Sequence, residues 1–429
     1  MTISTIISAI GNNSTPYPLI VRDCFIEAPS KILIARKENL KESKELADDA
    51  TRERFIDEYV TSAIWLGGIP ATEKLADKLI AKKGYFPEAS LKLLNKTKSS
   101  MQSVEANIER FKNIEAKDVQ NALADLAKIK NNKAAYEKLL TMKFFAATAI
   151  PTIIMGFILP PLNFALTKKL RSKKANQASA KENVKTMSFT SSEAFKNFKV
   201  KSTPKDITFT GSFTSTIANL RTVDKMAISD GGLTIGRVST SRNKEEGYMN
   251  AFRMIGSMIL NFVTPVYIAK GLDKLANKLF KINVNLDPVI LDNKEFIKTI
   301  KEGNLELPKS NSEKDILDFL DEKPKSLFSK FAQKLKKVSY LDSGYRDPRK
   351  YVNIESMVKF KKEFENFVKA AVNSTDIEQF AKKAKYVKGI NILANIGISS
   401  FLLAYCLPKA QYGFNKLVTG SYSDPGLRK

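Results

Sequence analysis

Histidine is absent from all 429 residues. That removes Ser-His and Cys-His nucleophile pairs, His-ligated zinc and His-ligated haem together. Cysteine is nearly absent: Cys24 and Cys406 stand 382 positions apart. Two thiols make neither a disulfide framework nor a four-thiolate metal site, and Cys24, beside Arg22 and Asp23, reads as a small buried residue. Acidic residues are scarce, 45 against 70 basic ones, for a formal charge of +25. Such an excess suits anionic partners, namely lipid headgroups, nucleic acid or acidic protein. Only 13 of the 70 are arginine, so the bias is mainly a lysine bias.

Charge of either sign is missing from four stretches, which decide the fold class. Phe144 to Thr167 is charge-free for 24 residues and Gly389 to Pro408 for 20. At ~1.5 Å per residue each extends ~30 Å or more as a helix, enough to cross a hydrocarbon core. Met254 to Ala269 is shorter, 16 residues, and reaches spanning length if Tyr248 to Phe252 join it and Arg253 snorkels to the interface. Tyr59 to Thr72, 14 residues around Trp65, is marginal and fits a buried or interfacial helix as well as a span. Lysines flank every run on both sides, so the positive-inside rule assigns no orientation. The first 21 residues also lack charge, but without a basic n-region and with Gly11 to Pro16 interrupting the apolar core no secretory signal is expected. Ile3, Ile6, Ile7 and Ile10 predict a short amphipathic helix ending at Gly11.

What is present includes a weak internal repeat. Glu73-Lys-Leu-Ala-Asp-Lys-Leu-Ile80 matches Asp273-Lys-Leu-Ala-Asn-Lys-Leu-Phe280 at five of eight positions, offset by 200. Leu159-Pro to Lys168 parallels Leu407-Pro to Lys416 at an offset of 248. Shared order suggests two parallel halves. Five regions follow: an N-terminal helical segment (1–58), a first membrane half (59–166) with a helical insertion (84–142), a basic Ser/Thr-rich linker (167–247), a second half (248–417) with a helical insertion (282–388), and a tail (418–429). Capping boxes at Ser310–Glu313 and Thr375–Glu378 mark helix starts, the second continuing into the Gly389 run.

Five groups of candidate residues emerge. Gly231 and Gly236 have the Gly-x4-Gly spacing of a phosphate loop, but Arg237 and Val238 follow where Lys and Ser or Thr are needed, so they read as a flexible turn. Thr148, Thr152 and Gly156 lie on one helical face, as do Ser257 and Asn261, and Asn391, Asn395 and Ser399. Each stripe serves either close helix packing or a polar path for a solute, and no ionisable group inside the three long runs favours an ion-coupled pump. Lys168, Lys169, Arg171, Lys173 and Lys174 abut a run and are expected to face anionic lipid, each adding ~1 kcal/mol near a charged leaflet. The Lys330, Lys334, Lys336 and Lys337 face reads as a similar basic surface, and Glu355, Glu363 and Glu365 as surface ion pairs.

The reading is an all-α, multi-pass helical membrane protein of two weakly related halves with water-exposed amphipathic helices. A non-catalytic structural or interaction role is expected, without cofactor or metal, in a bacterial inner membrane or an equivalent bilayer. Membrane lipids with anionic headgroups are the expected partners, protein partners or self-association remain open, and nucleic acid is not expected, because few aromatics interleave the basic clusters. The alternative is a transporter, channel or lipid-handling protein built on Pro-interrupted, polar-striped helices.

Overall fold

A computed structural model describes residues 3–11, 20–94, 100–180, 222–280, 282 and 286–428. Every named element among them is helical, with one isolated β-bridge between Tyr340 and Arg346. Helix α1 is Ile3–Gly11. A π-helical segment, Ile20–Glu27, leads into α2, Ala28–Leu40. Helix α3 (44–82) starts where Ser43 accepts a hydrogen bond from the Leu46 amide, and α4 covers 133–180. Helix α5 is Thr222–Ser239. Helix α6, Lys244–Phe280, is capped by Asn243. Between α6 and the last long helix, α7 is Leu327–Lys334 and α8 is Ile354–Val372. Helix α9 runs Ile377–Thr419 and is closed by Gly420 at a φ of 75°, the left-handed conformation glycine adopts without penalty.

The four long helices share one irregularity. Each contains a five-residue π turn (Ile64–Gly68, Ile154–Ile158, Ile259–Val263 and Leu402–Cys406) that ends two residues before a proline, namely Pro70, Pro160, Pro265 and Pro408. A proline offers no amide proton and its ring collides with the carbonyl four residues back. The residue before each proline instead bonds the carbonyl five back, as Leu159 does to Ile154 and Leu407 to Leu402. One widened turn absorbs the clash and the helix continues.

Two hairpins result. The start of α3 packs on the end of α4 and the end of α3 on the start of α4; α6 and α9 repeat the pattern. Helix α2 packs on α3 but also reaches the far part of α9, whereas α5 packs on α6 and reaches α4. Each hairpin is thus clasped by the helix that precedes the other. Ile64 and Trp65 meet Met155, Leu233 and Met254 where the two hairpins join.

Both insertions leave the same end of the bundle, because α3 and α6 run in the same direction. They build one head rather than two. Gln102, fully buried, exchanges hydrogen bonds with the backbone of Val352 (2.8 and 3.0 Å). Arg349 of the second insertion pairs with Asp125 of the first at 2.7 Å. Buried Arg346 holds Asp321 and lies over the Phe111 ring. A core of stacked and edge-on phenylalanines, with Phe296, Phe328 and Phe364 at its centre, fills the second insertion.

Several local expectations are corrected. The stretch 167–247 reads as a linker, yet 167–180 belongs to α4 and 222–239 is α5; residues 181–221 lie outside the described residues. Gly231 and Gly236 form no turn and sit within α5. Their neighbourhood is helical because tertiary contact compensates weak propensity: a Cβ on Gly236 would stand 2.7 Å from the Gly156 backbone. Helix starts near 313 and 377 are found, but Ser312 and Asp376 cap them instead of Ser310 and Thr375. Each accepts from amides two or three residues ahead, the reach of a short side chain.

Candidate functional site

The three polar stripes have different fates. Thr152 is buried and shares a 2.8 Å hydrogen bond with Ser229 of α5, Gly156 lies against Gly236, and Thr148 bonds the Phe144 carbonyl of its own helix. This stripe is a packing seam. Asn261 donates to Ser257 at 3.2 Å, within one helix. Asn391 and Asn395, by contrast, line a cavity, while Ser399 is buried one turn further on and donates weakly to Asn395.

The Ser229 and Gly236 contacts set α5 alongside the charge-free run of α4, and α5 is not charge-free. Arg237, about 6% exposed, donates to Asp57 at 2.8 Å and to Thr61 at 2.9 Å. Arg253 turns inward to Asp57 at 3.3 Å instead of snorkelling outward. Lys31 bridges Glu27 and Glu58, Arg54 meets Glu58, and Arg22 meets Glu27. A second layer joins Glu53 to Arg242 at 2.9 Å and to the Thr167 hydroxyl at 2.6 Å. Absence of charge within the apolar runs therefore does not make the bundle interior uncharged. The sequence signal was Asp57 and Glu58 directly before Tyr59, with Arg237 in a supposed linker. A buried ion network is costly unless fully paired, and its best-supported use is to fix register. Here the pairs join α2, α3, α5 and α6, and so connect the two hairpins.

The cavity measures about 350 Å³ and lies where α1, α6, α9 and the head meet. Asp273, on the repeated Lys-Leu-Ala segment, accepts from Asn391 at 3.2 Å and faces Lys388 at 3.9 Å. Asp287 accepts hydrogen bonds from the Ser8 hydroxyl and the Val289 amide, both at 2.8 Å. Lys337 and Glu363 come from the head. Lys337 is not part of a solvated basic face: it donates to Ser356 at 2.9 Å, and burial pushes its ammonium below the usual lysine range, with Lys359 adding to the effect. Glu365 forms the expected ion pair with Lys361. Glu363 does not; burial raises its carboxyl above the ordinary range against the opposing pull of Lys359, Lys337 and Lys388, with Asp273 adding to the rise.

That shift has a sign for stability. A carboxyl that protonates more readily when folded stabilises the fold fully below its unfolded value near 4.5, and the contribution is lost as pH rises through the folded value. Glu363→Gln removes this cost. The variant is expected to unfold a few degrees higher than the parent at neutral pH, with the gain fading as pH falls towards 4, in thermal melts of detergent-purified protein. A gain independent of pH would mean that charge at Glu363 is not its origin.

The basic cluster is at the opposite end from the head. Lys168, Lys169, Lys173 and Lys174 are exposed. Arg171 is withdrawn from that surface, bonded to Asp49 at 2.5 Å and to the Leu427 carbonyl at 3.1 Å. No family model, curated protein or solved structure matches the chain.

Proposed function

We propose that this chain is a multi-pass membrane protein with a non-catalytic, structural or interaction role, holding a helical head at one bilayer face and anionic headgroups at the other. One observation carries the membrane reading. Three helices, Lys133–Asn176, Lys244–Phe280 and Ile377–Thr419, are long and apolar enough to cross a membrane, yet the most apolar windows are 39, 6 and 28% buried. Ile153, Ile158 and Leu162 on α4, Ile259 and Val263 on α6, and Leu393 and Phe401 on α9 point outward. Contiguous apolar surface of this extent is unfavourable in water and suited to lipid. Helix α3 is not one of these three, but it packs along α4 as α6 does along α9, and that pairing supports a fourth crossing with both insertions on one side. The matching hairpins and exchanged clasps support a duplication with parallel halves. Four exposed lysines provide the anionic-lipid contact. In membranes from expressing cells the protein is expected to resist high salt and alkaline carbonate and to leave only with detergent; release by salt alone would refute insertion.

A second reading, a solute-handling membrane protein, is favoured by the cavity beside Asn391 and Asn395, although the Thr152 stripe is sealed by α5. In a background with Cys24 and Cys406 replaced by serine, Asn395→Cys is expected to react with aqueous thiol reagents and Thr152→Cys to resist them. Equal protection at both positions would remove this reading.

A further inference from the structure

We propose that the cavity beneath the head is a binding site for a small ligand carrying an ammonium group, seated on the Glu363 carboxylate. Three acidic and two basic side chains line the wall, a formal surplus of one negative charge. Asp273, Asp287 and Lys337 have hydrogen-bond partners in place. Glu363 has no hydrogen-bond or ion-pair partner among the described residues; Lys337, Lys359 and Lys388 act on it only at a distance. The missing complement is one cation with N–H donors, an ammonium. The Phe360 ring, one helical turn before Glu363, also lines the cavity, with the Lys337 ammonium already 5.3 Å from its centroid. About 350 Å³ suits a small molecule and exceeds the need of a bare ion.

One wall of the cavity is set by a helix end. Lys336 has a φ of 56°, the only non-glycine residue in the left-handed region among those described. It ends α7 in the position glycine usually takes, with the Lys337 amide bonded back to the Ala332 carbonyl at 2.8 Å. This turn brings Lys337 to the cavity wall.

An ammonium of this kind belongs to a free amine or to an ethanolamine headgroup, since the cavity is lined by α6 and α9 where they meet the head. The test uses the full chain and ethanolamine itself. In detergent free of ethanolamine lipid, ethanolamine is expected to raise the unfolding midpoint of the parent, with affinity at least about tenfold weaker in Glu363→Gln, the loss of one charge-assisted hydrogen bond. Acetate, an anion of similar size, should give no shift. If free ethanolamine is silent but nanodiscs containing phosphatidylethanolamine stabilise the parent more than Glu363→Gln, relative to phosphatidylglycerol nanodiscs, the site holds a lipid headgroup. Equal responses of parent and Glu363→Gln in both arms, or no response in either, would overturn the proposal.

Discussion

Arg237→Met is expected to destabilise the protein by about 3–5 kcal/mol, because it strands Asp57 in the bundle interior without its main partner. Arg253, at 3.3 Å, makes a longer contact with the same carboxylate and compensates only in part. Removing the stranded charge should restore stability: Arg237→Met combined with Asp57→Asn is expected to recover more than half of the loss. Chemical unfolding in detergent micelles, run on both single variants and the double, reads this as a coupling energy. If the single variant loses less than about 1 kcal/mol, the pair is solvated as a surface bridge would be, and its interior placement is wrong. The network's part in connecting the two hairpins depends on the same result.

Gly236→Leu is expected to undo the seam between α5 and α4. A Cβ at Gly236 would sit 2.7 Å from Gly156 C and 2.8 Å from its Cα, both backbone atoms that no rotamer change can clear. Overpacking a close contact costs about 1–3 kcal/mol, and a backbone-to-backbone clash belongs at the upper end or beyond. Gly231 supplies the control. It lies in the same helix, with open space where its Cβ would be, so Gly231→Ala should be neutral or stabilise by up to ~1 kcal/mol through helix propensity. A disulfide trapped between Thr152→Cys and Ser229→Cys, formed in the parent background and lost on adding Gly236→Leu, would locate the damage. Indistinguishable melts for Gly236→Leu and Gly231→Ala would show that α5 does not dock there.

The two variants concern a helix that the sequence hides. Residues 222–239 are rich in glycine and hydroxyl side chains, which favour turns when nothing packs against them. Glycine is weak in a helix because its backbone is free, and that cost is offset only by contacts made elsewhere in the chain. Gly236 makes them with Gly156, 80 positions earlier. The charged layer was hidden for a related reason. Its members flank or lie between the apolar runs, and only the packing of α2 and α5 on the long helices brings them to the depth of those runs. Glu363 reads locally as one more member of an exposed Glu/Lys pattern, since helical spacing reports faces but not what covers them. The Asn391 and Asn395 stripe was visible, whereas the cavity it lines was not, because its other wall comes from the head and from α1.

What the sequence determined by itself is the all-helical class, the three long apolar helices and the positions of their irregularities. Those follow from local terms: runs without charge, periods of three and four residues, and prolines that cannot complete a helical ladder. Ser43 and Asn243 as helix caps belong to the same local chemistry. The tertiary structure alone decided that two insertions form one head, that each hairpin is clasped by the other's leading helix, and that Thr152 is sealed while Asn395 faces a cavity. These outcomes depend on contacts between residues far apart in the chain, where burial and charge pairing are set by the partner that arrives rather than by the residue's neighbours.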